Sequence, residues 1–281
     1  MSLQIISTDA AVGAEIRGVD LAQPLGDNLF TAIEQAFDKY GVIFFRDQKL
    51  TPQQQVTFTR RFGEIDFNIF GERWSVPGSP EIVVVSNITE DEKPIGVRRA
   101  GEKWHSDMCY TARPPRGTML YAHEIPTLFG LPLGDTEFAS AAAAWDALPE
   151  TLQQKLQGRH AVFDFKGRKR AFPPTQTEID RNPPVRHPIV RTHPHTGRKS
   201  LYVMRDDCTA IEGMEDDEAE ALIAALADHI IKPGFIYRHQ WRAGDLLMWD
   251  NCTVQHRAIQ DYDMPQRRLM HRTTMGGAVP V

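Results

Sequence analysis

The sequence predicts a mainly β fold with added α: a double-stranded β-helix (jelly roll) core with flanking helices and long insertions. Three observations predict it. Short runs of strand length and composition recur along the chain, at residues 42–45, 81–86, 118–123, 246–249 and 268–275. Helical patterns collect near the N-terminus and in the segments between strands. No internal repeat, linker or composition break divides the 281 residues, so residues 1–281 are expected to form a single domain.

Composition narrows the classes. Apolar residues at 41% and charged residues at 25% are those of an ordinary soluble globular protein. No apolar run approaches the roughly 18 residues of a spanning helix, and the N-terminus lacks a secretory pattern, which predicts a cytoplasmic protein with no membrane association. A net charge of -5 provides no basic field for nucleic acid. The local exceptions are Arg98-Arg99, left open as a guide for an anion, and the basic run at 166–170, read as a solvated loop. Cys109, Cys208 and Cys252 are odd in number and widely spaced, which argues against a disulfide framework or a structural zinc site.

Taken in order, Asp27 caps a helix with Ile33, Ala36, Phe37 and Tyr40 on one stripe, and Gly41 ends it. Val42-Ile43-Phe44-Phe45 is a buried strand. Thr51-Pro52 starts a second helix that stops near Gly63, with Phe58 and Phe62 inside. After the 81–86 strand, residues 87–103 form a polar loop with the character of a substrate lid. It leads into a strand carrying His105 and Asp107, followed by the 118–123 strand and a loop at 126–135. Ser140 caps an alanine-rich helix, and Pro149 starts a shorter one that Gly158 ends. Residues 166–187 are a polar, proline-bearing insertion. Thr196-Gly197 marks a hairpin between 189–191 and 201–203. The acidic residues 215–220 open a helix that Pro233-Gly234 stops. Strands at 235–241, 246–249 and 268–275 complete the chain.

The chemistry is expected at His105-Ser106-Asp107. Side chains two apart on an extended strand leave the same face, so an imidazole and a carboxylate converge there. Alone, the pair is a weak signal and favours a plainer reading, a surface pair or a histidine held by its neighbour's carboxylate. With a distant second histidine it makes the facial triad of non-haem iron(II) oxygenases, which leaves three coordination positions open. His256, in Trp249-Asp250-Asn251-Cys252-Thr253-Val254-Gln255-His256, lies 151 residues beyond His105. On the last strand Arg268, Met270, Arg272 and Thr274 share a face, so the two arginines form either a solvated edge or a carboxylate clamp.

These segments together, with Gly134-Asp135-Thr136, Arg191-Thr192-His193-Pro194, Thr196-Gly197 and Gly244-Asp245 in order, resemble the iron(II)/2-oxoglutarate dioxygenases of the taurine and 2,4-dichlorophenoxyacetate dioxygenase family over nearly the whole chain. The resemblance implies His105, Asp107 and His256 as Fe(II) ligands and Thr136 and Arg268 as partners of the distal carboxylate of 2-oxoglutarate. It also implies Trp249 as an aromatic beside the metal and Arg272 near the substrate's anionic end. The expected reaction consumes O2 and 2-oxoglutarate, releases succinate and CO2, and hydroxylates the substrate. The acidic residue at 107 argues against halogenation, since related halogenases carry a small residue there.

Departures at Gly101 and at Arg205-Asp206-Asp207 point away from taurine itself. The expected substrate is a small or medium organic anion, a sulfonate, sulfate ester or aryloxyalkanoate, with cleavage of a C–S or C–O bond where the hydroxylated carbon bears the heteroatom. The resemblance further implies a homo-oligomer, a dimer or tetramer. Two other readings stand beside it: a cupin-like metal enzyme that does not use 2-oxoglutarate, and a jelly-roll binding protein with a structural metal. The histidines at 193, 195 and 271 are not expected as ligands, and Cys109 and Cys252 are read as small buried hydrophobes.

Overall fold

The computed structural model describes residues 2–66, 72–167 and 175–281. Its centre is a sheet of eight strands in the order Gln4–Ser7, Ala14–Arg17, Val42–Phe45, Leu246–Asp250, Gly117–Glu124, Leu269–Met275, Ser79–Ser86 and Ser75–Val76. The Ala14–Arg17 and Val42–Phe45 strands pair in parallel, and the other neighbours are antiparallel. A three-stranded sheet in the order Ile236–His239, Thr136–Ser140, Val254–Ala258 accompanies it.

The apolar run at 42–45 is continuous because this strand is buried on both faces. Ile43 and Phe45 join Leu246, Met248, Met119 and Tyr121 under the helices Asp27–Tyr40 and Pro52–Arg60, packing with Phe37 and Phe58. Val42 and Phe44 point the other way and join Leu247, Trp249, Phe138, Val254 and Met270 between the two sheets. The period of two thus divides each central strand between two cores. A third core gathers Trp145, Phe163, Tyr202, Ile223 and Leu226 around the helices Ala141–Asp146 and Asp216–Ile230.

The jelly-roll expectation is corrected here. Among the described residues no sheet closes into a barrel or curls as a jelly roll. The large sheet is open, with edges at Gln4–Ser7 and Ser75–Val76, and the remaining strands fall into separate sheets of two or three. Strand count and spacing are local properties of the sequence, whereas pairing joins segments as distant as Val42–Phe45 and Leu246–Asp250. The fold is mixed, mainly β with α.

Most local expectations match the elements. Gly41, in the left-handed region at φ 68°, ends the first helix. Thr51 caps the second through a capping box with Gln54, and Ser140 accepts from the Ala143 amide at 3.1 Å. Val190–Thr192 and Lys199–Leu201 pair as the expected hairpin. Asp27 lies in the first turn of its helix rather than at the cap position, which Gly26 occupies. Within the 166–187 insertion a short helix, Gln176–Arg181, follows a Thr175–Glu178 capping box. It buries no side chain, so no apolar stripe announces it. Residues 168–170 of the basic run lie outside the described residues. No described helix is long and apolar enough to cross a membrane.

Candidate active site

The two distant histidines meet through their backbones. His105 N–H donates to the His256 carbonyl at 3.1 Å and His256 N–H to the His105 carbonyl at 2.9 Å, an isolated antiparallel bridge that sets the imidazole rings 4.2 Å apart. His256 belongs to the Val254–Ala258 strand. The His105 segment is not the extended strand that the spacing predicts: the bridge at His105 passes directly into a turn at Asp107, with Met108 at φ 47°. The turn brings the carboxylate round to the imidazoles, where alternation along a strand was expected to do so.

Asp107 Oδ1 lies 3.7 Å from His105 Nε2 and 3.9 Å from His256 Nε2. All three side chains are buried, and their candidate ligand atoms fall within 4.8 Å of one another. Donors about 2.1 Å from one ion lie roughly 3–4 Å apart, so the cluster fits a single small cation. His105 Nδ1 lies 2.8 Å from the Lys103 carbonyl. A carbonyl only accepts, so Nδ1 carries the hydrogen and the Nε2 lone pair faces the cluster.

Asp107 is held at both carboxylate oxygens and at its amide. Its Oδ2 accepts from the Thr118 hydroxyl at 2.6 Å, its amide donates to Asn251 Oδ1 at 3.2 Å, and Arg272 Nη2 stands 3.1 Å from Oδ1. Burial opposes ionisation of this carboxyl, but the Arg272 guanidinium and the two imidazoles outweigh it and keep the group well below the usual carboxylate range.

A cavity of about 460 Å³ opens on the cluster, and His105, Asp107, His256, Thr136, Trp249, Arg268 and Arg272 all line it. The volume lies in the range of small-molecule sites, roughly 300–1,000 Å³. Arg268 is buried, flanked by the rings of Trp241 at 5.9 Å and Tyr262 at 5.4 Å, and donates to the Gly134 carbonyl at 2.5 Å. Among the described residues no carboxylate reaches ion-pair distance of it. Burial lowers its pKa, the mark of a desolvated cation. Gly134, at φ 73°, is required there: a Cβ would lie 2.1 Å from Arg268 Nη1. Across the same arm the Trp241 indole donates to Thr136 Oγ1 at 2.9 Å, which leaves the threonine hydroxyl hydrogen to donate elsewhere. The Trp249 ring stands 4.6 Å from that of His256.

Arg272, beside Asp107, lines the cavity as well, and Arg98 and Arg99 also reach it. On the other face of the Leu269–Met275 strand, His271 Nδ1 meets His123 Nε2 at 2.9 Å, away from the cavity. Thr118, Trp241 and Tyr262 carry no sequence signal that separates them from ordinary strand and loop residues. Asn251 lies in a segment that the sequence analysis singles out, but its side-chain contact to Asp107 depends on the fold.

Known proteins share this architecture. Residues 5–274 match the family described as "Taurine catabolism dioxygenase TauD, TfdA family". The chain is 36% identical over 279 residues to the alpha-ketoglutarate-dependent 2,4-dichlorophenoxyacetate dioxygenase of Cupriavidus pinatubonensis, covering 95% of each chain. It is 31% identical over 296 residues to the alpha-ketoglutarate-dependent sulfate ester dioxygenase of Pseudomonas putida, covering 100% of this chain and 92% of that one. The crystal structure of a taurine dioxygenase from Burkholderia xenovorans superposes with a TM-score of 0.83 at 32% identity, covering 100% of this chain and 93% of that one. A buried cluster of two histidines and an aspartate lining one cavity, in a chain that matches over nearly its whole length, leads to one conclusion: the protein belongs to the TauD/TfdA family of Fe(II)- and 2-oxoglutarate-dependent dioxygenases.

Proposed function

We propose that His105, Asp107 and His256 hold the iron, that Arg268 and Thr136 hold the distal carboxylate of 2-oxoglutarate, and that Arg272 receives the anionic end of a small organic substrate. The donor set fits the metal: two imidazole nitrogens and one carboxylate oxygen, buried and convergent, are the ligands non-haem iron(II) takes. When bound, the iron centre supplies the oxidation, in which O2 and 2-oxoglutarate yield succinate, CO2 and a hydroxylated substrate.

The chain's own residues bind, orient and exclude water. Arg268 offers a planar fork to a carboxylate from a pocket walled by Trp241 and Tyr262, where a charge-assisted bond is strengthened by desolvation. Thr136 adds the second donor, held in place by Trp241. Trp249 walls the space beside His256. Arg272, within reach of Asp107, places an anion bound to it beside the metal position, with Val85 and Leu120 lining the same cavity for an apolar body. The relatives that act on 2,4-dichlorophenoxyacetate and on sulfate esters support a substrate of this class. An aryloxyalkanoate, sulfate ester or sulfonate hydroxylated at the carbon bearing its heteroatom gives a hemiacetal-like product, which breaks the C–O or C–S bond. We also propose a homo-oligomer, a dimer or tetramer, in the cytoplasm.

The observation that carries the reading is the pair of arginines that line the cavity with the triad, one of them buried and, among the described residues, without a carboxylate partner. A panel coupling succinate release to aryloxyalkanoates, sulfate esters, alkyl sulfonates and their neutral amide analogues tests it. The anions are expected to stimulate turnover, and Arg272→Gln to remove the preference for them. Stimulation by neutral or cationic compounds alone would overturn the proposal.

A further inference from the structure

We infer that His193, on the loop of the Val190–Thr192 and Lys199–Leu201 hairpin, is a positioning residue of the metal centre, acting through the Asp250–Thr253 turn. The inference rests on the ligand set proposed above. His193 is buried and, with Asp250 and Cys252, forms a second group of potential metal-ligating atoms within 4.8 Å of one another.

Hydrogen bonding decides against a metal there. His193 Nδ1 accepts the amides of His195 and Thr196, each at 3.1 Å. A ring nitrogen that accepts two N–H groups carries no hydrogen, so the proton of the neutral ring is on Nε2, which faces Asp250 Oδ2 at 3.1 Å. Asp250 is itself engaged at both oxygens, by the Cys252 amide at 2.7 Å and the Thr253 hydroxyl at 2.8 Å. His193 is therefore a buried post whose Nε2 stands in ion-pair range of the carboxylate that organises a turn, without the alignment of a hydrogen bond.

That turn grips the metal ligands. Asn251 accepts the Asp107 amide on its side-chain oxygen at 3.2 Å and the Ser106 hydroxyl on its backbone carbonyl at 2.9 Å. Its side-chain nitrogen reaches Thr118 Oγ1 at 3.5 Å, and Thr118 in turn donates to Asp107 Oδ2. The hairpin holds the turn at two further points, Arg191 Nη1 to the Asn251 carbonyl at 3.4 Å and Ser200 Oγ to the Cys252 carbonyl at 2.6 Å. The three hairpin contacts all end on residues 250–252, and residue 251 holds Asp107 and Ser106. Partners beyond the first ring of ligands commonly contribute 10–100-fold to metal affinity, and one step further out the lower end applies.

Two substitutions separate the two jobs of the ring. His193→Gln keeps an amide donor near the Nε2 position, and His193→Asn keeps an acceptor near Nδ1. Metal affinity is read by Co(II) titration of the metal-free full-length protein, followed by visible absorption, with thermal unfolding in parallel. His193→Asn is expected to weaken Co(II) binding about tenfold and His193→Gln to stay within about threefold of wild type, with similar unfolding temperatures for both. Should His193→Asn fail to fold, Ser200→Ala, which removes a hydroxyl from the same turn without adding volume, carries the test with the same direction expected. Wild-type Co(II) affinity in His193→Asn or, in its stead, Ser200→Ala overturns the inference. So does equal weakening in His193→Gln and His193→Asn, which would make the ring a general structural support. His105→Ala run alongside separates the two levels. Loss of binding in His105→Ala without loss in His193→Asn overturns the positioning role alone. Unchanged binding in His105→Ala overturns the ligand set and this inference with it.

Discussion

Replacing Arg268 by methionine tests its proposed hold on 2-oxoglutarate separately from the stability of the fold. The guanidinium is buried between Trp241 and Tyr262, with one hydrogen bond to the Gly134 carbonyl and no carboxylate partner among the described residues. Hydrogen bonds to a charged group contribute about 1.5–3 kcal/mol each, so losing a two-pronged grip on a carboxylate costs roughly 3–4 kcal/mol, or about 10²–10³-fold in affinity at 1.4 kcal/mol per decade. Folding responds differently. The variant relieves the desolvation of an unpaired cation and fills the space with an apolar side chain of similar length, while the Gly134 carbonyl loses its donor at a cost of about 1–3 kcal/mol. These effects oppose each other, so the unliganded protein should unfold within about 1 kcal/mol of wild type. The dissociation constant is measured anaerobically from the visible charge-transfer band that forms when 2-oxoglutarate is added to the Fe(II) protein, and stability from urea unfolding. Arg268→Lys, which keeps the charge but not the planar fork, should fall between the two. A constant within threefold of wild type for Arg268→Met, or a loss of folding large enough to explain the binding defect, would falsify the reasoning.

Two further outcomes follow from contacts away from Arg268 and Thr136. Thr118→Val removes the donor to Asp107 Oδ2 while preserving side-chain shape, and should weaken Fe(II) binding about tenfold; an unchanged affinity would show that the hydroxyl does not orient the ligand. Burial, reinforced by the neighbouring His123, pushes His271 down to about 4, below the roughly 6.5 of an unfolded chain. Between these values the unfolded state binds more protons, so stability contributed by the neutral ring is lost as pH falls from about 6.5 towards 4. The stability of wild type relative to His271→Gln should therefore decline over that window in urea unfolding, and parallel pH profiles would refute it.

What could be read from the sequence was whatever is local or repeated along one strand. The 42–45 run, the Thr51-Pro52 helix start and the shared face of Arg268, Met270 and Arg272 depend on periodicity and capping, and the structure shows each. The ordered motifs also pointed to the family, and membership displaces the readings as a cupin-like enzyme without 2-oxoglutarate or as a binding protein with a structural metal. The sheet arrangement was not legible, because the pairing of Val42–Phe45 with Leu246–Asp250 is decided by packing across 200 residues of intervening chain. Thr118 was silent for a related reason. A threonine in a strand is unremarkable until the register sets it opposite Trp249 and beside Asp107. The His105 segment was misread as a strand because i, i+2 spacing suits both a strand and a bridge that turns.

The bridge between His105 and His256 also bears on the order in which the site assembles. Counted along the chain it closes a loop of 151 residues, but Thr118 already sits opposite Trp249 in the large sheet. Once that register exists, only the two short tethers to His105 and His256 remain to be closed, about 20 residues in all, and the (3/2)RT ln n dependence makes this about 2 kcal/mol less costly than closing the full loop. With that register in place, the proposed ligand set adds little further closure cost to the sheet. The amides of His105 and His256 become local reporters of assembly: their hydrogen exchange can slow on metal loading while the amides of the central strands, already protected, stay as they were.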